Sequence, residues 1–358
     1  MNADAAAGMG DAAADPPPAA GPDRAAEVAR RIAIVQDGLR VRGHGAVLLS
    51  ERRNTAWLTV GASLHVVVGG DAAAGPILVH QGGATAIAPN NETDRVADEE
   101  LGGLPIDIVT VPWSDPRAID AEVRRRTSRG TTDRDVESWL QPVRSVLGPT
   151  EQGRMEWLGR RVVRAMDDAV AAVAPGTTED DAVAALVGGL AVDGIRAPVV
   201  LAAADDRIAR YRHPLPGATR VARRLMLITV GERWGLHVAL TRFRELEPLP
   251  DDLAARVAAT DDVLAAMEAA TVPGGTFGDV FVAAREAYGR AGHPDEWRLH
   301  HQGGSIGYTP REHIAVPGDR TRIAAGMAFA WNPSITGAKA ESTIVLDGDG
   351  GRRSVTAG

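Results

Sequence analysis

The chain has 358 residues, more than one hydrophobic core normally serves, so two domains are the default expectation. With 39 basic against 47 acidic side chains and a net charge of −8, it has no surplus of positive charge to neutralise phosphates, which argues against a nucleic acid partner. Cysteine is absent, which excludes disulfides, thiolate nucleophiles and sulfur-ligated zinc, and fits a reducing cytoplasm.

Met1 to Asp23 is mostly Ala, Gly, Asp and Pro, without a basic stretch leading into an apolar run. It is expected to be a disordered tail rather than a secretory signal. No later stretch approaches the roughly 18–20 uninterrupted apolar residues that a membrane span needs, so a cytoplasmic protein without a membrane partner is expected. From Arg24 to Arg40, Val28, Ile32, Val35 and Leu39 recur at spacings of three and four, which predicts an amphipathic helix. Short apolar runs at Ala46–Ser50, Ala56–Val60, His65–Val68 and Ile77–His80 have the length and flanks of strands. Residues 24–147 therefore make a small α/β domain. Gly148 and Pro149 precede a new helical face carrying Met155, Leu158, Val162 and Met166, and residues 148–358 are assigned to a second domain.

The second domain carries a faint internal repeat. Ala174-Pro175-Gly176-Thr177-Thr178 and Val272-Pro273-Gly274-Gly275-Thr276 each stand between two helical stretches, with a Pro-Gly stop and a Thr placed to cap the next helix. Strand-like segments follow each copy, at Leu225–Val230 and Leu236–Leu240, then at Met327–Trp331 and Ser342–Leu346. Two readings stay open: a duplicated half, which would place equivalent side chains around one cleft, or a common helix junction used twice.

Three stretches carry a family resemblance. Gly235-Leu236-His237-Val238-Ala239-Leu240-Thr241-Arg242 resembles the strand of creatinase and aminopeptidase P in which glycine is followed by aspartate, one residue and Thr-Arg. His300-His301-Gln302-Gly303-Gly304-Ser305-Ile306-Gly307-Tyr308, followed by Arg311-Glu312, is similar to the Gly-His-Gly-Ile-Gly loop and its acidic residue. Ala330-Trp331-Asn332-Pro333 and Glu341-Ser342-Thr343 resemble the Glu-Pro-Gly and Glu-Asp-Thr segments. Asn54-Thr55-Ala56-Trp57-Leu58-Thr59 adds a match in the first domain. The chain thus resembles the creatinase, aminopeptidase P and methionine aminopeptidase family. The resemblance implies an α+β fold: a C-terminal pita-bread domain with internal pseudo-duplication after a smaller α/β creatinase-type domain.

Members with metal hold two divalent ions with two Asp, one His and two Glu. By the resemblance these positions fall on Thr229, Ala239, Gly304, Asn332 and Glu341, so four of five ligands are missing. One carboxylate among neutral neighbours does not offset the lost hydration of two ions, and neither a catalytic metal nor another cofactor is expected. The resemblance to creatinase, a metal-independent hydrolase, implies roles for the surviving groups. His213 matches an upstream proton-shuttle histidine, and its ordinary pKa near 6.5 suits acid/base work at neutral pH. Arg311 stands where a guanidinium would grip a substrate carboxylate, and Glu341 would orient the reacting group.

His237 shares strand parity with Ala239 and Thr241, so it should face the same cleft. His300 and His301 are adjacent, and in a strand only one of them would face it, His301 being preferred. Glu312, Asn332, Thr229, Gly304 and Tyr308 complete the expected substrate site. Each candidate has a plain structural alternative: a surface histidine in a Pro-rich loop for His213, a turn residue for Glu341, mutual pairing for Arg311 and Glu312, an ordinary turn for Gly303 and Gly304. The function expected is metal-independent acid/base hydrolysis of a C–N bond in a small carboxylate-bearing, amino-acid-like or peptide-like metabolite, in a biosynthetic role, by a homodimer. The competing class is a catalytically silent scaffold; a metallopeptidase with displaced ligands is a third.

Overall fold

The computed structural model describes residues 23–128 and 130–357. The expected tail lies outside the described residues except for Asp23, whose carbonyl accepts the Glu27 N–H at the start of the first helix.

In the first half, α1 (Arg24–Val41), β1 (Ala46–Glu51), α2 (Arg52–Leu58), β2 (Ala72–His80), β3 (Gly83–Pro89), α3 (Thr93–Arg95), β4 (Asp107–Val111), α4 (Ala118–Arg126), β5 (Gly130–Thr132) and α5 (Asp133–Arg144) follow in order. Their sheet has the order β4-β3-β2-β1-β5, with β4 and β5 added in parallel to an antiparallel centre. The expected α1 stripe is buried throughout. Two expected strands are absent. Ala56 to Leu58 belong to α2, where Asn54 through Leu58 are all buried, and a helix buried on every side shows an apolar run without alternation. His65 to Val68 form a loop in which Val66, Val67 and Val68 are exposed.

Residues 145–148 separate α5 from α6 (Pro149–Ala171), whose start is fixed by Pro149 and by the Glu151 carboxylate accepting the Gly148 N–H at 3.0 Å. One hydrophobic cluster nevertheless runs from Val28 to Val355 across that break, so the two halves share a core.

The second half continues through α7 (Glu179–Val192), β6 (Arg196–Ala204), α8 (Asp206–Arg210), β7 (Arg224–Arg233), β8 (Leu236–Glu245), α9 (Asp251–Ala270), α10 (Phe277–Arg290), β9 (Gly303–Ile306), β10 (His313–Ile314), β11 (Ala328–Trp331), β12 (Ser334–Ile335), β13 (Ala338–Lys339), β14 (Ser342–Leu346) and β15 (Arg352–Ser354). Two larger antiparallel sheets result, β6-β7-β8 and β10-β9-β11-β14-β15, with a two-stranded β12-β13 hairpin beside them. Thr343 joins them: its hydroxyl accepts the Ala239 N–H at 3.0 Å and donates to the Ala239 carbonyl at 2.9 Å.

The repeat is visible at both helix junctions. Gly176 N–H donates to Val221 O and Gly274 N–H to Ile323 O. Arg220 donates to Gly176 O and Arg322 to Gly274 O, both at 2.7 Å. Thr178 with Asp181, and Thr276 with Asp279, make matching capping boxes for α7 and α10. The same short motif thus makes the same bonds twice, which favours the duplicated-half reading.

Candidate active site

The inner site is assembled from β8, from β9 with the turn before it, from the β12–β13 hairpin and β14, and from the loop carrying His213. Glu341 is its centre. Its Oε2 accepts the Thr241 hydroxyl at 2.6 Å, and its Oε1 accepts Arg311 Nη2 at 3.1 Å. Lys339 Nζ lies 3.8 Å from Oε2, an ion pair but too long for a hydrogen bond. Glu341 and Lys339 are both buried, with side-chain exposures of 3% and 6%. Burial alone raises a carboxyl pKa, but Lys339, Arg311 and the Thr241 bond outweigh it and hold Glu341 below its ordinary value. Burial lowers the Lys339 pKa, against the pull of Glu341.

Three imidazoles stand beside this cluster. His213 and His300 approach through their Nε2 atoms at 3.0 Å, and the His300 and His301 rings stack with centroids 4.3 Å apart. His213 is exposed and His300 partly buried; the desolvation each does undergo, then the charge of Lys339, lowers their pKa values, that of His300 to about 2. Burial and the charge of Arg311 push His301 down to about 4. At neutral pH all three are uncharged bases. The expectation that only one of His300 and His301 faces the site is overturned: both precede β9, so strand alternation does not govern them.

Several expected site residues are engaged elsewhere. Glu312 is fully buried against Arg144 of α5, with Nη2 at 2.8 Å, and accepts the Tyr308 N–H. It locks the two halves together and does not pair with Arg311. Tyr308 is buried too, and its hydroxyl donates to Glu151 at 2.9 Å, so it tethers rather than faces the cluster. The Thr229 hydroxyl donates to Val199 O at 3.2 Å, across to β6. His237 is buried, with Nδ1 at 3.0 Å from Gly307 O, and does not join the Glu341 cluster as strand parity predicted. It lines a separate cavity of about 640 Å³ between the halves, together with Arg52, Asp71, Arg196 and Glu232. Arg311 donates from Nη1 to Pro310 O and leaves Nε unpartnered, so its fork is not open as a bidentate grip. Asn332 is buried and its Oδ1 has no partner among the described residues, an acceptor still to be satisfied.

At Gly304 an added Cβ would lie 1.8 Å from the His313 carbonyl oxygen. The close approach is between strands, since Gly304 pairs with Ile314 and Ala330. Only glycine fits there.

The family model of metallopeptidase family M24 matches residues 153–353, more than half of the chain. The chain belongs to family M24. Among solved structures it is similar to the dipeptidase PepE from Mycobacterium ulcerans, at 19% identity over 93% of this chain and 96% of that one, with a TM-score of 0.73. The prolidase from Pyrococcus horikoshii OT3 matches at 16% identity over 92% and 98%, TM-score 0.75. The N-terminal domain of the FACT complex subunit SPT16 from Cicer arietinum (chickpea) matches at 12% identity over 92% and 95%, TM-score 0.69. At these identities the likeness is one of fold, and it bears out the α+β pita-bread architecture. No curated protein is similar to the chain in sequence.

At the positions to which the motif resemblance assigns the metal ligands, the residues present do not fit the dinuclear centre that M24 implies. Thr229, Ala239 and Gly304 offer neither carboxylate nor imidazole, Asn332 offers a neutral amide, and both Glu341 oxygens are engaged by Thr241, Arg311 and Lys339. Two fixed cations face the one carboxylate where an M24 metallopeptidase needs anionic ligands.

Lys339 was not legible from motif matching, yet the sequence holds a signal for it. It is the only lysine in a chain with 39 basic residues. An ammonium can shed its proton where a guanidinium cannot, and the one position given to lysine is buried at this site.

Proposed function

We propose that this M24 protein is a metal-independent acid/base hydrolase that cleaves the C–N bond of a small carboxylate-bearing, amino-acid-like or peptide-like metabolite. The observation that carries the reading is the charge balance of the inner site. Lys339 and Arg311 oppose the single carboxylate Glu341, which leaves one buried positive charge to be met by a substrate anion. The imidazoles beside it are uncharged and able to accept a proton.

In the reaction a water molecule adds to the amide, amidine or guanidine carbon while His213 takes its proton. The C–N bond then breaks as that proton passes from His213 to the departing nitrogen. Lys339, with the free Nε of Arg311, holds the substrate carboxylate, and Glu341 keeps both cations in place. Asn332 supplies its unpartnered Oδ1 to a substrate N–H. This reading shares between Lys339 and Arg311 a grip first expected of Arg311.

The test is a panel of dipeptides, N-acyl amino acids and guanidino acids assayed with the wild type, His213→Ala and Lys339→Met. His213→Ala should lower kcat by about 10²–10⁴, and Lys339→Met should raise KM while sparing stability. Turnover unaffected by His213→Ala would sink the mechanism. A second reading, a binding scaffold, draws support from the engagement of both Glu341 oxygens and from the fold shared with a subunit domain of a larger complex. It predicts no turnover of any compound and no loss of biological function in either variant.

A further inference from the structure

The three imidazoles form a cluster outside the positions that the resemblance assigns to the M24 metal ligands. One ring nitrogen of each of His213, His300 and His301 lies within 4.8 Å of those of the other two, and His213 Nε2 and His300 Nε2 are 3.0 Å apart. Nitrogens bound at about 2.0–2.1 Å to one tetrahedral zinc stand roughly 3.3–3.5 Å apart. The observed spacing is thus a small side-chain rotation away from a shared ion. The edge-to-face contact of His213 with His300 and the stack of His300 on His301 hold the rings in this arrangement. Among the described residues His300 Nδ1 is buried without a partner and its Nε2 meets only the imidazole of His213, so neither nitrogen is committed to carrying the proton.

The donors are all nitrogen. The nearest carboxylate, Glu341, is occupied by Thr241 and Arg311. Such a set suits zinc, nickel, cobalt or copper and not magnesium or calcium. Lys339 and Arg311 act on the same rings and oppose a cation there, which limits its affinity.

We infer that His213, His300 and His301 form a binding site for one zinc-class divalent ion, distinct from the family's dinuclear positions, and that an ion there occupies the lone pair His213 needs. Zinc is on this account an inhibitor rather than a catalyst. The inhibitory part rests on the reading of His213 as proton shuttle, whereas binding does not.

The experiment titrates zinc chloride into the full chain after chelator treatment, followed by calorimetry. One ion per chain should bind in the micromolar range. His300→Ala, or His301→Gln should the first variant fold poorly, should weaken binding at least about tenfold, a loss seen even for outer-shell changes. Lys339→Met should tighten it by removing an opposing charge. Absence of saturable binding, affinity unchanged in both histidine variants, or weaker binding in Lys339→Met would each overturn the inference. Hydrolysis in the presence of chelator tests the function and zinc stoichiometry tests the ion site, so either can fail without the other.

Discussion

The two helix junctions of the M24 domain share their backbone bonds, while the inner faces of the strands that follow them differ in charge. At residues 174–181 and 272–279 the same backbone bonds, arginine contacts and Thr-Asp capping boxes recur. At the inner site one half supplies Ala239, Thr241 and the loop histidine His213, and the other supplies a buried carboxylate, a lysine and a pair of histidines. A junction is held by local backbone geometry that few residue types satisfy. An inner face is free to change once its charges balance.

The comparison breaks most sharply at Glu341. Glu341→Gln leaves Lys339 and Arg311 buried without a counter-charge and should cost about 3–5 kcal/mol, measured by urea unfolding; a loss no larger than that of a surface substitution would mean the cluster is solvated. Gly304 comes next. Gly304→Ala drives a Cβ onto the His313 carbonyl and should cost about 1–3 kcal/mol or more. For the same reason restoring a histidine there, with carboxylates at positions 229, 239 and 332, should fail to recover a tight dinuclear centre, as metal analysis of the purified variant would report.

A pH series sharpens the comparison at intermediate magnitude. His300 and His301 have folded pKa values of about 2 and about 4, below the unfolded value. Below about pH 6.5 the unfolded chain therefore binds more protons, and stability that is full above that point falls as pH drops, by up to about 1.4 kcal/mol per unit for each ring before solvent screening. Paired thermal melts near neutral pH and at about pH 5 should show a smaller acid loss in His301→Gln than in the wild type. The rate should fall over the same range as His213 is protonated, with its midpoint below the usual histidine value because its pKa is lowered.

The smallest effects belong to the junctions. Thr178→Ala and Thr276→Ala each remove a cap and should cost about 1 kcal/mol. The two losses should agree by chemical denaturation, and a clear difference would mean that the repeat is geometric without being energetic.

Much of the fold was legible because it rests on local signals. The α1 stripe, the Pro-Gly-Thr junctions and the runs that became β7, β8, β11 and β14 all carry their period or punctuation on the chain. Alpha helix α2 was misassigned as strand because full burial erases its period, and the exposed valines at 66–68 mimic a strand by composition alone. Motif matching singled out His213, Glu341 and Arg311, and the structure brings these three side chains to one place. Tyr308 and Glu312 were misassigned because their partners, Glu151 and Arg144, lie more than a hundred residues away in chain order. Lys339 belongs to no matched motif, and only its solitude among the basic residues marks it.

The most direct test of the central claim is hydrolysis of the best substrate from the panel by the full chain before and after exhaustive treatment with EDTA, with metal content measured in parallel. The rate should be unchanged or, where zinc had occupied the histidine cluster, increased. A rate abolished by EDTA and restored by manganese, with two ions bound per chain, would contradict it.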